Sequence, residues 1–287
     1  MVPPLKKGQT IEVDILDMAF GGVGIAKIPT ESGNFSVFVQ NGVPGQKVLA
    51  RVVNVKKRFA ECSLFQVIQP SPDEVAIPYH RIPGAPYATV PMSIQHEWKK
   101  RTTLEVYRRI GEIQAIDTVF DTYIASPSDW HYRNKMEYSF AAIGFDPIAG
   151  KDVDRFSLGF KARGTWWMVE NLEGDSGLFD PEFENLLPDI RNYCEATGFP
   201  AWHAPSRSGF FRYLVVRKSF SADECLVNLV THDDDRFDIH AFSEFLREKL
   251  GKRLAGLLHT INTDTGERSV PLAGSSRLIY GKDHVVE

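Results

Sequence analysis

Short segments in which apolar and polar residues alternate, separated by glycines, fill the first seventy residues of this 287-residue chain. Residues 10–17 alternate at period two, which is typical of a half-buried β-strand. Residues 36–39, 46–53 and 60–67 are further strand segments, and the glycines of residues 20–24 permit positive φ angles or a bulge at a corner. About five short strands with glycine-rich corners predict a small OB-like β-barrel.

Composition and cysteine usage narrow the class of protein. Hydrophobic residues make up 43% and charged residues 24%, as in an ordinary globular protein. No apolar run approaches the roughly 20 residues that span a bilayer, and the N-terminus has no signal-peptide core. Cys62, Cys194 and Cys225 form no C-x-x-C pair, which argues against a disulfide framework and against a metal or iron–sulfur site. The sequence therefore predicts a cytoplasmic protein without a membrane partner.

Charge is distributed unevenly along the chain. The first 70 residues hold eight Lys or Arg and five Asp or Glu, a net charge of +3, so the rest carries −7 of the total of −4. A basic module beside an acidic remainder predicts that a polyanion first meets the N-terminal module. The alternative, ordinary variation in charge between two regions, stays open.

Five short motifs follow one another in the N-terminal region: Lys7-Gly8-Gln9, Gly21-Gly22-Val23-Gly24, Val37-Phe38-Val39, Val43-Pro44-Gly45 and Pro70-Ser71-Pro72. Each motif is common alone, but the five in this order resemble a TRAM domain. TRAM domains are RNA-binding barrels attached to RNA-modifying enzymes. The resemblance implies an RNA-binding TRAM barrel over residues 1–72.

The second region, residues 73–287, is predicted to be an α/β domain with a mainly antiparallel sheet, which makes the whole chain α+β. Its clearest strand is residues 131–140, where Arg133 and Lys135 fall on one face and Met136 and Tyr138 on the other. One polar face and one packed face imply a sheet with one side open to solvent or ligand.

Further elements follow from periodicity and from capping residues. Ile94, Trp98, Val106 and Ile110, which are spaced at multiples of four, predict a helix over residues 94–110. Phe242, Phe245, Leu246 and Leu250 predict another over residues 241–254. A third helix is expected between an Asp180 cap and Gly198. Other strands are predicted at residues 158–161, 166–169, 209–218, 225–231, 256–262 and 278–286.

The string His131-Tyr132-Arg133-Asn134-Lys135-Met136-Glu137 is similar to the Y-R-N-K-x-E segment of RNA uracil-C5 methyltransferases. Later segments agree with this family: Leu158-Gly159-Phe160-Lys161, Arg212-Tyr213-Leu214-Val215-Val216-Arg217, His259-Thr260-Ile261-Asn262-Thr263 and Tyr280-Gly281. In that family, a TRAM barrel precedes a central α/β domain and a Rossmann-type S-adenosylmethionine domain. The resemblance covers nearly the whole chain and is weakest over residues 73–125.

Two departures from the family limit what this chain is expected to do. Many members bind an iron–sulfur cluster through four cysteines, but the matching residues 78–86 contain none, so no cluster is expected. The family's glycine-rich cofactor turn and its nucleophilic cysteine lie beyond the point that matches Glu287. C5 methylation needs a thiolate that adds at C6 of uracil, and the three cysteines here match no such motif. They are expected to be buried small hydrophobes, so no catalytic residue, cofactor site or metal ligand is predicted in this chain.

Arg133 and Lys135 are the first candidates for RNA contact, because they share a face and match the family's RNA-facing strand. Arginine pairs bidentately with phosphate, and lysine acts as a point charge. A salt bridge from this pair to Glu137 is the structural alternative. Lys161 is a further candidate. Arg212 and Arg217 are an odd number of residues apart, so only one is expected to face RNA.

Lys57, Arg58 and Phe59 combine charge with a ring that could stack on a base, as in proteins that bind single strands. The alternative is a solvated hairpin tip. Trp166 and Trp167 must point to opposite faces of a strand, so one is expected in the core and the other could stack on a base.

The favoured hypothesis is the RNA-binding part of a 23S rRNA or tRNA (uracil-5-)-methyltransferase, which binds folded RNA and presents a flipped uridine. The catalytic domain would be supplied by a separate domain or subunit, whether this chain is a fragment, a truncated product or half of a split enzyme. The complete enzyme would use S-adenosylmethionine, and this chain alone is expected to be inactive. One alternative is a stand-alone RNA-binding or RNA-chaperone protein, and another is a protein-interaction scaffold without RNA affinity.

Overall fold

A computed structural model describes residues 4–31, 33–80, 82–146, 150–162, 165–271 and 275–287. The chain divides into two compact units. The N-terminal unit comprises Met1–Ile77 and Pro86–Pro127, and the C-terminal unit comprises Pro78–Ala85 and Ser128–Glu287. The domain boundary expected after residue 72 stays a prediction.

The N-terminal unit is built on a six-stranded sheet. Its strands are β1 (Thr10–Asp14), β2 (Asp17–Ala19), β3 (Val23–Thr30), β4 (Gly33–Gln40), β5 (Lys47–Val55) and β6 (Phe59–Gln69). They lie in the order β1-β5-β6-β4-β3-β2, and every pair is antiparallel except β4 with β6. Among the described residues, these pairings do not close the sheet, so closure into a barrel stays a prediction.

The turn between β2 and β3 depends on a pair of glycines. Gly21 and Gly22 have φ angles of 84° and 75°, which few residues other than glycine adopt without strain. The corner predicted at residues 20–24 is therefore confirmed. Strand β3, however, was not predicted beyond it, and it brings the number of strands to six.

Small and branched side chains fill the core of this sheet. Val37, Val39, Val48, Ala26 and Ala50 are almost completely inaccessible to solvent. They alternate with exposed or half-buried neighbours, as period two requires.

The predicted helix after the sheet is confirmed as α1 (Met92–Arg109), which is followed by the single turn α2 (Ile116–Val119). Its expected apolar stripe is not a buried face, because only Thr102 of α1 is buried and Ile110 is 79% exposed. Arg101 instead forms an ion pair with Asp17 of β2, with 2.5 Å between nitrogen and oxygen.

The C-terminal unit contains a seven-stranded sheet. Its strands are β7 (Lys135–Asp146), β8 (Lys151–Lys161), β9 (Val169–Asn171), β10 (Phe211–Ser219), β11 (Glu224–Thr231), β12 (Leu254–Ile261) and β13 (Ser276–Gly281). Their order is β13-β12-β11-β10-β7-β8-β9. All pairs are antiparallel except β11 with β12 and a single bridge between β7 and β9. The mixed α+β class with mostly sheet is confirmed.

Two helices pack on one face of this sheet: α3 (Pro181–Ala196) against β8, and α4 (Ile239–Leu250) against β12 and β13. Asp180 caps α3 as predicted, since its Oδ1 accepts a hydrogen bond of 2.8 Å from the Phe183 N–H. Helix α4 ends earlier than predicted, because a 3₁₀ turn follows it and Leu254 already begins β12.

The strand expected at residues 131–140 begins only at Lys135. Residues before it instead bond to a neighbouring loop: the His131 N–H donates to the Gly177 carbonyl and the Arg133 N–H to the Leu178 carbonyl, at 2.6 and 3.0 Å. From Lys135 onward the predicted alternation is correct, with Met136 and Tyr138 in the core.

The strand predicted at Trp166 and Trp167 is wrong. Strand β9 begins at Val169, and the two rings pack edge to face at 5.6 Å between centroids. Trp166 is 52% exposed and Trp167 is half-buried, so neither tryptophan belongs to the core.

In the part of the chain that the structure describes, no helix is both long enough and apolar enough to cross a membrane.

Candidate nucleic-acid interface

The sheet of the C-terminal unit has a second face, opposite its helices. Strands β7 and β10 lie side by side there, with Lys135 opposite Arg217 and Glu137 opposite Val215. Because Met136 and Tyr138 point into the helix-covered core, their odd-numbered neighbours on β7 point the other way. This second face is called the open face below.

Lys135 and Glu137 form an ion pair on the open face, with 2.5 Å between Nζ and Oε1, so the structural alternative for Lys135 is observed. The Ser269 hydroxyl donates to the other Glu137 oxygen at 2.7 Å. Burial raises the pKa of Glu137, but the bonds from Lys135 and Ser269 outweigh it and lower the pKa overall. A phosphate approaching Lys135 must therefore compete with a charged carboxylate.

Arg133 and Arg217 are exposed beside this ion pair. Arg133 lies 6.0 Å from the ring of Tyr132. A hollow of about 410 Å³ is lined by Arg133, Lys135 and Glu137, and the rest of its lining includes Ile82, Gly84, Phe160 and Leu178. The hollow thus combines two cationic side chains with an apolar floor, which suits a group that carries both a phosphate and a ring.

Lys161 is engaged by a loop that follows β12. Its Nζ lies 2.8 Å from Glu267, whose carboxylate also accepts a hydrogen bond of 2.7 Å from the indole of Trp202. The Tyr213 hydroxyl donates to the same carboxylate at 3.4 Å. Glu267 is therefore a shared acceptor that holds the loop against the open face.

Arg212 is buried, with 1% of its surface exposed, and this contradicts its prediction as a surface contact for RNA. Its guanidinium donates to the carbonyls of Asn262, Asp264 and Gly266 and lies 4.1 Å from the ring of Trp202. The local sequence could not show this, because the acceptors lie about fifty residues further along the chain. Arg212 has a structural role here, while Arg217 is exposed.

In the N-terminal unit, Lys57 and Arg58 are exposed in the turn between β5 and β6. Phe59 is half-buried, with its ring edge against Phe38 at 5.4 Å between centroids. A hollow of about 450 Å³ adjoins them, and its lining includes Phe20, Val23, Phe38, Val53, Phe59 and Glu61.

Phe20 is a candidate that the sequence prediction missed. It is 61% exposed and stands at the tip of the β2–β3 turn, directly before the glycine pair. The sequence could have indicated Phe20, because it is an aromatic residue at a tight turn, where no strand buries it.

All three cysteines are buried, as predicted. Burial raises the pKa of Cys62 to about 11 and, as the largest effect, raises that of Cys225 to about 12. It also raises the pKa of the Cys194 thiol. These thiols remain protonated near neutral pH, which does not suit a nucleophile that must act as a thiolate.

Among the described residues, no group of three or more His, Cys, Asp or Glu side chains could hold a metal ion. The stretch of residues 78–86, which contains no cysteine, includes residue 81, and residue 81 lies outside the residues that the structure describes.

Comparison with family models matches residues 4–65 to the TRAM domain, so the predicted TRAM domain is confirmed. Several relatives carry the name "Uncharacterized RNA methyltransferase". The protein from Clostridium tetani is 29% identical over 287 residues, which cover 99% of this chain and 59% of the relative. The protein from Nitratidesulfovibrio vulgaris is 29% identical over 265 residues, which cover 91% of this chain and 53% of the relative.

Among solved structures, the tRNA (uracil-54, C5)-methyltransferase of Pyrococcus abyssi, determined in complex with S-adenosyl-L-homocysteine, is similar with a TM-score of 0.64. The two chains are 19% identical, and the match covers 96% of this chain and 56% of that one. At this identity the likeness shows a shared fold. The chain spans less than two thirds of the length of each of these proteins.

Proposed function

We propose that this chain is the RNA-binding part of an RNA (uracil-5-)-methyltransferase and that it holds a folded ribosomal or transfer RNA in the cytoplasm. The observation that carries the proposal is the cluster of Arg133, Lys135 and Arg217 at the open face, in a chain that also has a TRAM domain. Arg133 and Lys135 line a hollow there, and Arg217 lies opposite Lys135 on the neighbouring strand. The relatives named RNA methyltransferases support the reaction class.

The open face binds phosphates mainly through its two arginines in this proposal. Arg133 and Arg217 are exposed, and a guanidinium can bind two phosphate oxygens at once. Lys135 binds a phosphate only when that phosphate replaces Glu137 as its ionic partner. Lys161 is held by Glu267, so it contributes only if that ion pair opens.

The N-terminal unit supplies a second contact in this proposal. Its strands form an OB-like barrel over residues 1–72, and Lys57 and Arg58 meet the phosphates of a single strand. The rings near them, Phe59 and Phe20, meet the bases. The central domain then comprises residues 73–287.

Methyl transfer itself is assigned to a separate methyltransferase domain or subunit that uses S-adenosylmethionine. This chain offers no thiol suited to attack at C6 of uracil, because each of its cysteines is buried and has a raised pKa. The part of the reaction that belongs to this chain is to bind the RNA and to present an unstacked uridine. No iron–sulfur cluster is expected to take part.

The test is a salt titration of RNA binding, with a labelled tRNA and a labelled ribosomal RNA stem-loop. Arg133→Ala/Arg217→Ala is expected to weaken binding and to reduce the slope of log K against log salt by about 1.4 to 1.8, since each lost phosphate contact removes about 0.7 to 0.9. The matched control is Lys151→Ala/Lys252→Ala, which removes two exposed lysines elsewhere on the same unit.

Equal losses in the two double variants would show that only net charge matters. Absence of binding to either RNA at low salt would contradict the proposal directly.

A further inference from the structure

A third hollow lies within the N-terminal unit, between the β2–β3 turn and α1. Its volume is about 330 Å³, and its lining includes Phe20, Gly22, Tyr87, Trp98, Lys99 and Thr103. Neither the TRAM motifs nor the segments that resemble methyltransferases predicted it, because half of its wall comes from the stretch over which the resemblance is weakest.

The walls of this hollow are fixed by hydrogen bonds and an ion pair. The Tyr87 hydroxyl donates to the Gly22 carbonyl, and the Gln95 amide donates to the Tyr87 and Val90 carbonyls at 3.1 and 2.8 Å. Arg101 of α1 binds both carboxylate oxygens of Asp17 in β2. A hollow that is already formed loses little conformational entropy when a ligand enters.

The charges of α1 favour an anionic ligand. The helix carries five basic and two acidic residues. Three of its arginines form ion pairs within this unit, namely Arg101, Arg108 and Arg109. Within the described residues, Lys99 has no carboxylate partner, and it is the cation that lines the hollow. Lys99 is therefore available for a phosphate at the rim.

The apolar part of the lining is aromatic and partly exposed. Phe20 is 61% exposed, and the half-buried Trp98 lines the same hollow. Within the described residues, the indole N–H of Trp98 has no acceptor, so a polar edge of a ligand could receive its hydrogen bond. Rings beside a free cation are the combination with which proteins bind the bases and phosphates of single-stranded nucleic acid.

We propose that this hollow receives one unstacked base of a bound RNA, with Phe20 and Trp98 against the base and Lys99 on the adjoining phosphate. The inference rests on the proposed function in one respect, that the ligand is RNA. Phe20 also lines the hollow beside Phe59, so one ring borders both cavities. A strand that passes Lys57 and Arg58 can therefore place successive bases on the two sides of Phe20.

The test uses the full chain and a single-stranded RNA that carries 4-thiouridine at successive positions. Photo-cross-linking followed by mass spectrometry should place cross-links in residues 18–22 and 95–103. Phe20→Ala should weaken binding of this RNA about tenfold, because one stacked base is lost. Lys99→Ala should weaken it by a factor of roughly three to five, because one phosphate contact is lost.

The matched controls are Phe65→Ala and Lys27→Ala, which remove an exposed ring and an exposed cation elsewhere on the same unit. Both controls should bind as the wild type does. Because Phe20 and Lys99 are exposed, their variants should keep the wild-type melting temperature.

The outcomes separate this inference from the proposed function. If cross-links avoid both segments and Phe20→Ala behaves like Phe65→Ala, while Arg133→Ala/Arg217→Ala loses affinity, the base site is wrong and the open face stands. If Phe20→Ala and Lys99→Ala lose affinity while the double arginine variant binds normally, the base site stands and the open face is wrong.

Discussion

The two units place their aromatic residues in opposite ways. The N-terminal unit has a core mostly of valine, alanine and isoleucine, with Phe35 as a buried ring, while Phe20 and Phe65 are more than 60% exposed. The C-terminal unit builds its core largely from rings, since Phe140, Phe179 and Phe211 are at most 1% exposed, although Trp166 is 52% exposed; its open face carries charged side chains. In the function proposed above, an RNA would therefore stack mainly on rings of the first unit.

The difference follows from how each sheet is covered. The N-terminal sheet packs a small core, which small or branched side chains mostly fill. A sheet with helices on one face leaves a wide layer between the two, which large rings fill at normal packing density. The same architecture leaves the opposite face of the second sheet free for polar groups.

Substitutions in the two cores should change the free energy of unfolding by the largest amounts. Phe183 of α3 is completely buried, so Phe183→Ala should destabilise the C-terminal unit by about 3 to 5 kcal/mol. Val37→Ala should cost the N-terminal unit about 2 kcal/mol, because it removes two buried carbons. Hydrogen exchange, followed by peptide in chemical denaturant, would measure each unit. Equal losses from the two substitutions would break the contrast.

A buried histidine should make the stability of the C-terminal unit depend on pH in the weakly acidic range. The Thr231 hydroxyl donates to the His232 carbonyl, so it accepts from the Nε2–H of His259 at 2.9 Å. Nδ1 of His259 is buried and, among the described residues, has no partner. Burial is the largest cause that lowers the pKa of His259 to about 4, and nearby Arg277 lowers it further.

The sign of the effect follows from the lowered pKa. The unfolded chain takes up this proton near pH 6.5, whereas the folded chain resists it until about pH 4. Stability is therefore complete above pH 6.5, falls by about 3 kcal/mol between pH 6.5 and 4, and loses nothing more from this group below. His259→Gln keeps a donor for Thr231 without titrating. Denaturation midpoints measured across that range should become flatter in this variant, and an unchanged slope would refute the assignment.

Substitutions of the exposed groups proposed to contact RNA should have the smallest effects, and these effects are on RNA binding. Arg217→Ala should reduce the salt slope of RNA binding by about 0.7 to 0.9, because one phosphate contact is lost. Phe20→Ala should weaken binding by about 1 to 3 kcal/mol and leave the slope unchanged, because stacking releases no counterions. Fluorescence anisotropy over a salt series measures both quantities. A lower slope for Phe20→Ala would show that its ring acts by positioning a cation.

The sequence predicted those features that depend on neighbouring residues. The Asp180 cap, the glycine corner before β3 and the alternation after Lys135 are local patterns, and each is confirmed. The predicted burial of Cys194 also follows from its place on the apolar side of a helix.

What the sequence missed depends on distant parts of the chain. Arg212 is buried because a loop fifty residues later turns its carbonyls toward it, and Lys161 is neutralised by Glu267 of the same loop. The early end of α4 and the exposure of Trp166 are also features that the local pattern does not show. For the same reason, no motif indicated the hollow beside α1.

The loop that Arg212 holds can vary in sequence without losing its contacts to Arg212. Its three carbonyl contacts, with Asn262, Asp264 and Gly266, are made to the main chain, which every amino acid provides. Substitutions at Thr263 or Thr265 can therefore change what the loop displays without changing its path. The surface that the loop presents can therefore change in single substitutions, while Arg212 keeps the path of the main chain constant.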